Sequence, residues 1–219
     1  MKDHLQGVRL VFGQPQSGKT TRARTLTKRD RCRRVLYYDT AGHDYQEGVC
    51  VYSLAELRAF WRRVHQGSFR IIYRPTGPTR DERRKTRQID PEFAAVCDLI
   101  RLLGRDGQAD MTFVVDEVDR YADGGEYDDS FADLLRRGEG HYGVSLIVAT
   151  QIPQGIGRLL TSVTRTWDIF QTAEQAHIHY FAARCGGIDP DDIRRLERYE
   201  YVHYEQGAGA DSYWICRDD

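Results

Sequence analysis

One eight-residue segment constrains the fold and the chemistry of this chain more than any other feature of the sequence. Its residues are Gly13-Gln14-Pro15-Gln16-Ser17-Gly18-Lys19-Thr20, in the pattern G-x-x-x-x-G-K-[ST]. An apolar run from Val8 to Phe12 precedes the segment, and a predicted helix from Gly18 to about Lys28 follows it. In that strand–loop–helix setting, backbone N–H groups surround a phosphate group and the positive end of the helix faces it. The alternative, a glycine turn beside a chance Gly-Lys-Thr, is disfavoured by the same setting.

This phosphate loop, residues Gly13 to Thr20, predicts a specific ligand. Lys19 is expected to reach the β- and γ-phosphates, and the Thr20 hydroxyl is expected to bind Mg²⁺. Thr21, the next residue of the helix, is included among the predicted nucleotide-binding residues. The sequence therefore predicts a site for a nucleoside triphosphate, with ATP and Mg²⁺ as the cofactors.

Length and charge limit the other possibilities. With 219 residues and 40% hydrophobic residues, the chain can bury one sizeable core, and we expect a single domain over 1–219. Its core is predicted at about 8–184, with a C-terminal helix and hairpin at 189–216. The 32 Lys and Arg residues nearly balance the 33 Asp and Glu residues, giving a net charge of −1. No global positive field attracts nucleic acid, so any contact with DNA must be local.

Cysteine usage and hydropathy predict the compartment. The five cysteines are odd in number, widely scattered and without a C-x-x-C pair: Cys32, Cys50, Cys97, Cys185 and Cys216. This pattern favours free thiols in a reducing compartment over a disulfide framework or a zinc site. The sequence has no apolar signal region and no apolar stretch of 18 residues. We therefore expect a cytosolic protein without stable membrane insertion.

Alternating apolar strands and amphipathic helices predict an α/β fold. Strands are predicted at 8–12, 33–38, 69–73, 111–115, 144–149 and 167–170, with 33–38 as the second strand of a βαβ unit. Helices are predicted after the Ser53 capping box, after Asp90-Pro91, at 131–137, at 172–184 and after Asp189-Pro190. The order is that of a doubly wound, mainly parallel sheet. The segments 199–204 and 212–216 predict an antiparallel hairpin at its edge.

Polar residues that follow two predicted strands supply the remaining parts of a hydrolytic site. Asp116 and Glu117 close the apolar strand 111–115, where Asp116 is expected to hold Mg²⁺ and Glu117 to act as general base. Gln151 follows the next strand and is expected to lie beside the γ-phosphate. A neutral amide there can hold the attacking water or respond to departure of the phosphate.

In these landmarks the chain resembles the HerA/FtsK superfamily of P-loop motor ATPases, which have a RecA-like fold. The landmarks are the phosphate loop, the segment 114–117 and the segment Gly143 to Pro153, and the resemblance spans roughly Val8 to Thr172. The short Tyr-rich hairpin makes the chain most similar to the genome-packaging ATPases of tailless, membrane-containing icosahedral viruses. The resemblance implies translocation of double-stranded DNA into a preformed capsid by a homo-oligomeric ring, a hexamer. It also implies capsid or membrane proteins of a virion vertex as partners, and a place in the host cytoplasm or the virion.

The resemblance further implies an arginine finger donated to the nucleotide of the neighbouring subunit. The position that the family uses falls near Glu139-Gly140, and the nearest arginines are Arg137 and Arg136. We assign the role to Arg137, with Arg136 as the alternative. A helix-end cation that interacts only with the helix dipole is an equally good interpretation of either residue.

A basic segment is the candidate DNA contact. Between Arg74 and Gln88 no apolar periodicity remains, and five cations face only Asp81 and Glu82. The five are Arg80, Arg83, Arg84, Lys85 and Arg87. We expect an exposed loop that binds phosphate groups, and a merely solvated loop is the alternative. The next candidate is the region from Arg22 to Arg34.

Other functions remain open. A small-molecule kinase uses the same phosphate loop, and 80–87 could be its lid, although Glu117 directly after Asp116 suits activation of water. A nucleotide-gated scaffold and a DNA pump for conjugation or segregation are further alternatives. His177 and His179 lie two residues apart on a helix and receive no role. Tyr213 and Trp214 could stack on adenine, and packing within the hairpin is their alternative role.

Overall fold

The computed structural model describes residues 7–29, 32–42, 44–64, 67–76, 90–105, 109–122, 125–208 and 212–218. Within them, one sheet contains β1 (Val8–Phe12), β2 (Arg34–Tyr38), β3 (Val49–Val51), β4 (Phe69–Tyr73), β5 (Met111–Val115), β6 (Val144–Thr150), β7 (Thr164–Phe170), β8 (Glu200–Glu205) and β9 (Tyr213–Arg217). The α-helices are α1 (Lys19–Arg29), α2 (Leu54–Val64), α3 (Pro91–Leu103), α4 (Asp129–Arg137), α5 (Arg158–Val163), α6 (Gln175–Arg184) and α7 (Pro190–Arg195).

The strand order is β3-β4-β2-β5-β6-β1-β7-β8-β9. The strands from β3 to β7 in this order are parallel, and β8 and β9 add an antiparallel hairpin at the edge. The predicted mainly parallel α/β fold with a C-terminal hairpin is confirmed. Because parallel strands end at the same edge of the sheet, the residues after β1, β5 and β6 lie side by side.

Both faces of the sheet are covered, as the continuous apolar strands predict. Along β5, Phe113 and Val115 face one core cluster and Val114 faces the other. The larger cluster contains side chains from α2, α3, α4 and α6, whereas the smaller one contains Ala23 and Leu26 of α1. Helix α1 is therefore packed directly on the sheet, which fixes the phosphate loop that precedes it.

Local signals fix the ends of the helices. The Asp90 side chain accepts hydrogen bonds from the N–H groups of Glu92 and Phe93, and Pro91 is the first residue of α3. At α2, Ser53 Oγ accepts from the Glu56 N–H at 3.2 Å, as the predicted capping box requires. None of the five cysteines, all of which lie in the described ranges, forms a disulfide in the structure.

Several predictions of the elements were incomplete. Strand β2 is not a neighbour of β1, because β5 and β6 lie between them. The three-residue strand β3, helix α5 and a π-helical turn at Gly138–Tyr142 were not predicted. These elements are too short for hydrophobic periodicity to identify. Helix α6 begins at Gln175 rather than at 172, and β7 begins three residues earlier than predicted.

Candidate functional site

The phosphate loop connects β1 to α1, as predicted. Its first amide, on Gly13, donates to the Thr150 carbonyl at 3.2 Å, and this bond ties the loop to β6. A Cβ on Gly13 would lie 2.1 Å from Ser17 Oγ, so any larger residue at this position would have to displace the Ser17 side chain. Gly18 has φ +113°, a left-handed conformation that glycine adopts without strain. The local geometry therefore favours glycine at both positions of the motif.

Lys19 lies at the start of α1 with 8% of its surface exposed. Its Nζ donates to the Gln14 carbonyl at 3.3 Å, which holds the ammonium group over the loop. Burial lowers the pKa of Lys19 below its ordinary value, against the charges of Asp116 and Glu117, which raise it. A cation held in this way by the loop is placed to bind phosphate oxygens.

Asp116 directly follows β5 and is 3% exposed. Its Oδ1 accepts a hydrogen bond of 2.9 Å from the Glu117 N–H. Burial and the neighbouring charge of Asp44 raise the pKa of Asp116 to about 7, although Lys19 acts in the opposite direction. Burial and the charge of Asp44 thus destabilise the negative charge of Asp116. A bound cation would offset this destabilisation, so the position suits a cation site.

Glu117 has a left-handed backbone conformation, with φ 49° and ψ 49°. This conformation is uncommon for a residue with a side chain, and such outliers concentrate at functional sites. Oε1 of its carboxylate accepts from Gln151 Nε2 at 2.8 Å. Oε2 accepts from Thr40 Oγ1 at 3.4 Å and forms an ion pair with Arg120. The structure thus brings Gln151 and Glu117 together, as the strand order had suggested.

The turn after β6 is fixed by a second buried contact. Thr150 Oγ1 donates to Asp119 Oδ1 at 2.9 Å, and Asp119 is 5% exposed. Since Asp119 belongs to the 3-10 turn after Glu117, this bond joins the segment that carries Glu117 to the one that carries Gln151. The positions of the two side chains therefore depend on each other.

The residues of the loop fit a nucleotide with Mg²⁺. Ser17 Oγ is buried without a hydrogen-bond partner in the described part of the chain, so it is free to bind a phosphate oxygen. The Thr20 hydroxyl and the Asp116 carboxylate are oxygen donors of the kind that Mg²⁺ prefers. Across the described ranges, no group of three or more His, Cys, Asp or Glu side chains could hold a metal ion by itself.

The two candidate arginine fingers lie in different surroundings. Arg137 forms an ion pair with Asp133 at 2.5 Å and donates to Tyr142 Oη at 3.1 Å. Arg136 is exposed and lines a cleft of about 820 Å³ together with Tyr127 and Arg158. The Arg137 side chain is thus held by contacts within the chain, whereas Arg136 lines an open cleft.

The remaining predicted residues divide into three groups. The cations Arg80, Arg83, Arg84, Lys85 and Arg87 lie outside the described residues. Arg22, the first cation of the reserve DNA candidate, is 5% exposed and belongs to a buried ion-pair network, so it cannot contact DNA. His177 is buried against Phe12 while His179 is exposed, which confirms that they do not share a face.

The network around Arg22 was not predicted from the sequence. Its guanidinium binds Asp168 of β7 at 2.7 Å and Asp218 after β9 at 2.8 Å, and His203 also contacts Asp168. Burial alone would raise the pKa of Asp168, but the hydrogen bond from His203 and the charge of Arg22 outweigh it and lower the pKa. The lone Asp168 within the apolar stretch of β7 was the available signal. The network ties α1 to the C-terminal hairpin.

Thr40, Asp44 and Arg120 were not predicted as site residues either, because each comes close to the site only through the tertiary fold.

Among the described residues, no helix has the length and hydropathy that a membrane crossing requires.

Comparison with known proteins gives structural neighbours only. No family model and no curated protein matches the chain. Its structure is similar to the genome-packaging NTPase B204 of Sulfolobus turreted icosahedral virus 2, solved in complex with ATPγS, with a TM-score of 0.72 and 13% identity over 97% of both chains. It is also similar to the DNA-packaging ATPase B204 of Sulfolobus turreted icosahedral virus, with a TM-score of 0.69 and 13% identity over 97% of this chain and 98% of that one.

A third neighbour is VirB4 of Thermoanaerobacter pseudethanolicus, with a TM-score of 0.66 and 11% identity over 96% of this chain and 89% of that one. At sequence identities this low, the comparisons establish the fold only. The activity is inferred from the residues of the site. The chain shares the fold of these neighbours, which agrees with the fold that the resemblance in its sequence motifs implied.

Proposed function

We propose that this chain is an ATP-hydrolysing motor that moves double-stranded DNA and packages a viral genome into a preformed capsid as a hexameric ring. The observation that carries the proposal is the hydrogen bond between Gln151 and Glu117, next to Lys19 and Asp116. A carboxylate and an amide at this place suit activation of a water molecule for attack on the γ-phosphate. The likeness to genome-packaging NTPases over nearly the whole of both chains supports the packaging task.

Each residue of the site has one task in this mechanism. The backbone of the phosphate loop and Lys19 bind and orient the phosphates. Glu117 accepts a proton from the attacking water, and Gln151 orients that water. Bound Mg²⁺, held by Thr20 and Asp116, would stabilise negative charge on the phosphate oxygens. The surrounding apolar strands limit access of bulk water, which strengthens these electrostatic contacts.

The ring supplies what one subunit lacks. In this proposal Arg137 completes the nucleotide site of the neighbouring subunit, with Arg136 as the alternative. The segment 80–87 contacts DNA, and capsid or membrane proteins of the virion vertex hold the ring in place. The protein acts in the host cytoplasm or at the virion.

Two rival functions use the same phosphate loop. One is a DNA pump other than a packaging motor, for conjugation or segregation. A small-molecule kinase is the other, but a kinase must exclude water, whereas Glu117 lies where it would activate water.

Release of phosphate from ATP, measured with and without duplex DNA, separates a DNA motor from a kinase and from a nucleotide-gated scaffold. We expect slow basal hydrolysis that duplex DNA stimulates and that Glu117→Gln abolishes. Hydrolysis that responds to neither DNA nor a phosphate acceptor would indicate a nucleotide-gated scaffold instead. Stimulation by an acceptor alone would indicate a kinase.

A further inference from the structure

A cleft of about 280 Å³ opens beside the phosphate loop, on the side of the C-terminal strands. One wall is the loop from Gln14 to Ser17, and the other is the turn 197–200 between α7 and β8. Sites for drug-sized ligands have volumes of about 300–1,000 Å³. The cleft is therefore large enough for part of a nucleotide, such as its base.

Tyr199 occupies the turn in an unusual backbone conformation. Its φ is +71°, a value that is a genuine outlier for a bulky residue, and 45% of its surface is exposed. The ring lies against the phosphate loop, since its Cδ1 is 3.2 Å from the position that a Cβ on Gly18 would take. An exposed aromatic ring is thus held next to the loop at a cost in backbone strain.

The turn around Tyr199 is held from several sides. Arg217 of the edge strand β9 donates to the Arg198 carbonyl at 3.2 Å and contacts the Glu197 carboxylate at 3.2 Å. The Glu200 carboxylate accepts from the Glu197 N–H at 2.8 Å. The Arg198 guanidinium lies 4.8 Å from the centre of the Tyr199 ring. These contacts fix the turn before any ligand binds.

We propose that Tyr199 stacks on the base of the bound nucleotide, with Arg198 as the second flat group of the same subsite. This inference rests on the proposed function, because it assumes that the phosphates occupy the loop. A nucleotide bound there has its base several ångströms from the phosphates, and the cleft lies directly beside the loop, along Gln14 to Ser17. Stacking on an aromatic ring is available to every base, since each base has a π-face. Stacking on Tyr199 therefore does not by itself select one base over another.

The aromatic residues that the sequence suggested for this role lie elsewhere. Tyr213 Oη donates to Asp192 at 2.8 Å, which fixes α7 against the hairpin. The Trp214 ring lies 4.8 Å from the His203 ring. Neither residue lines the cleft, so the hairpin contributes indirectly, through Arg217 and the turn that it holds.

The test compares two ligands that differ in the presence of a nucleoside. Dissociation constants of the non-hydrolysable ATP analogue AMPPNP and of inorganic tripolyphosphate, both with Mg²⁺, are measured by calorimetry. We expect Tyr199→Ala to weaken AMPPNP about tenfold and to leave tripolyphosphate unchanged, because only the analogue has a base to stack. The guanine counterpart GMPPNP should lose affinity by the same factor. Tyr199→Phe keeps the ring and should bind like wild type.

Two further variants separate stacking from folding. Tyr199→Gly removes the ring but suits the positive φ, so it should lose AMPPNP affinity as Tyr199→Ala does while the thermal midpoint is kept. Tyr52→Ala removes a similarly exposed tyrosine away from the cleft, and it should not change either affinity.

The outcomes distinguish this inference from the proposed function. Equal weakening of both ligands in Tyr199→Ala and Tyr199→Gly would overturn the inference, because the ring would then act on the phosphate loop through Gly18. Unchanged AMPPNP affinity in both variants would also overturn it while nucleotide binding stands. If wild-type protein bound neither ligand, the proposed function itself would fail, and the inference with it.

Discussion

Gln151 Nε2 donates a hydrogen bond of 2.8 Å to Glu117 Oε1, although 34 positions separate the two residues in the chain. Strands β5 and β6 are parallel neighbours, so the segments that follow them meet at one edge of the sheet. Thr40 and Arg120 contact the other carboxylate oxygen of Glu117. Both oxygens are therefore restrained, and an attacking water must compete with one of these contacts. This arrangement connects the proposed base to three segments of the chain.

The first prediction separates binding from chemistry at the site. Glu117→Gln keeps the residues that bind phosphate, so ATP affinity should stay near that of wild type while turnover falls about 100-fold or more. Lys19→Ala removes a charged contact to the phosphates and should weaken ATP binding at least about tenfold as well. Calorimetric ATP titrations and steady-state turnover measure the two effects. Collapse of ATP affinity in Glu117→Gln would contradict the assignment of Glu117 as general base.

The second prediction concerns Arg137. If Arg137 of one subunit completes the nucleotide site of its neighbour, each active site depends on residues from two subunits. Small fractions of Arg137→Ala protein mixed with wild type should lower turnover more than dilution does. Arg136→Ala is the matched variant one position away, on the cleft side of the same helix end.

A strictly linear loss of turnover with the fraction of Arg137→Ala would argue against a shared role for this residue. A steeper than linear loss with Arg136→Ala alone would assign the finger to Arg136. Since Arg137 is held by Asp133 and Tyr142, the thermal midpoint of the variant must be measured beside the mixing experiment.

The third prediction concerns the buried network that joins α1 to β7. Asp168→Asn leaves the Arg22 charge without its nearest partner and should lower the free energy of unfolding by about 3 kcal/mol at pH 7. Because the pKa of Asp168 is lowered below its ordinary value of 3.8 in the folded protein, its contribution is present above that pH. The contribution disappears as the pH falls through the lowered pKa. Denaturant unfolding of the wild type and of Asp168→Asn gives the difference in their free energy of unfolding at pH 7 and near pH 3. The difference should be smaller near pH 3.

The matched control is the exposed ion pair between Lys28 and Glu47. Glu47→Gln should cost less than about 1 kcal/mol, because exposed pairs contribute little. A cost for Asp168→Asn as small as that of Glu47→Gln would contradict the structural role of the network.

Much of the fold could be predicted from local patterns. Strands β1, β4 and β5 have the predicted bounds, because each is a short, mainly apolar run that ends at a charged or turn-forming residue. The start of α3 followed from Asp90-Pro91, where the side chain and the proline ring act locally. Such signals lie within a few residues of the feature that they determine.

The features that could not be predicted depend on distant segments. Strand β3 has three residues and exists because it pairs with β4. The conformation of Tyr199 depends on Arg217 and on contact with Gly18, and neither dependence leaves a pattern near Tyr199. The proximity of Gln151 to Glu117 follows from the pairing of β5 with β6, whereas the contact of Thr40 with Glu117 comes from a loop after β2.

The fourth prediction concerns the basic segment 80–87, which lies outside the described residues. Replacing Arg83, Arg84 and Lys85 together by Ala should weaken binding of duplex DNA without favouring any sequence. The slope of log affinity against log salt should become less steep by about 0.9 for each phosphate group that the variant no longer neutralises. Basal hydrolysis should survive, since the phosphate loop is unchanged. Unchanged, salt-dependent affinity in the triple variant would leave 80–87 as a solvated surface.

Movement along DNA is the central claim, and displacement of a third strand tests it most directly. A triplex-forming oligonucleotide bound to one end of a linear duplex is released only when a motor travels along the duplex to it. We predict release that requires hydrolysable ATP, that increases with time and that Glu117→Gln abolishes. Hydrolysis of ATP stimulated by the duplex, with the third strand still bound, would contradict translocation and leave a DNA-dependent ATPase that does not move.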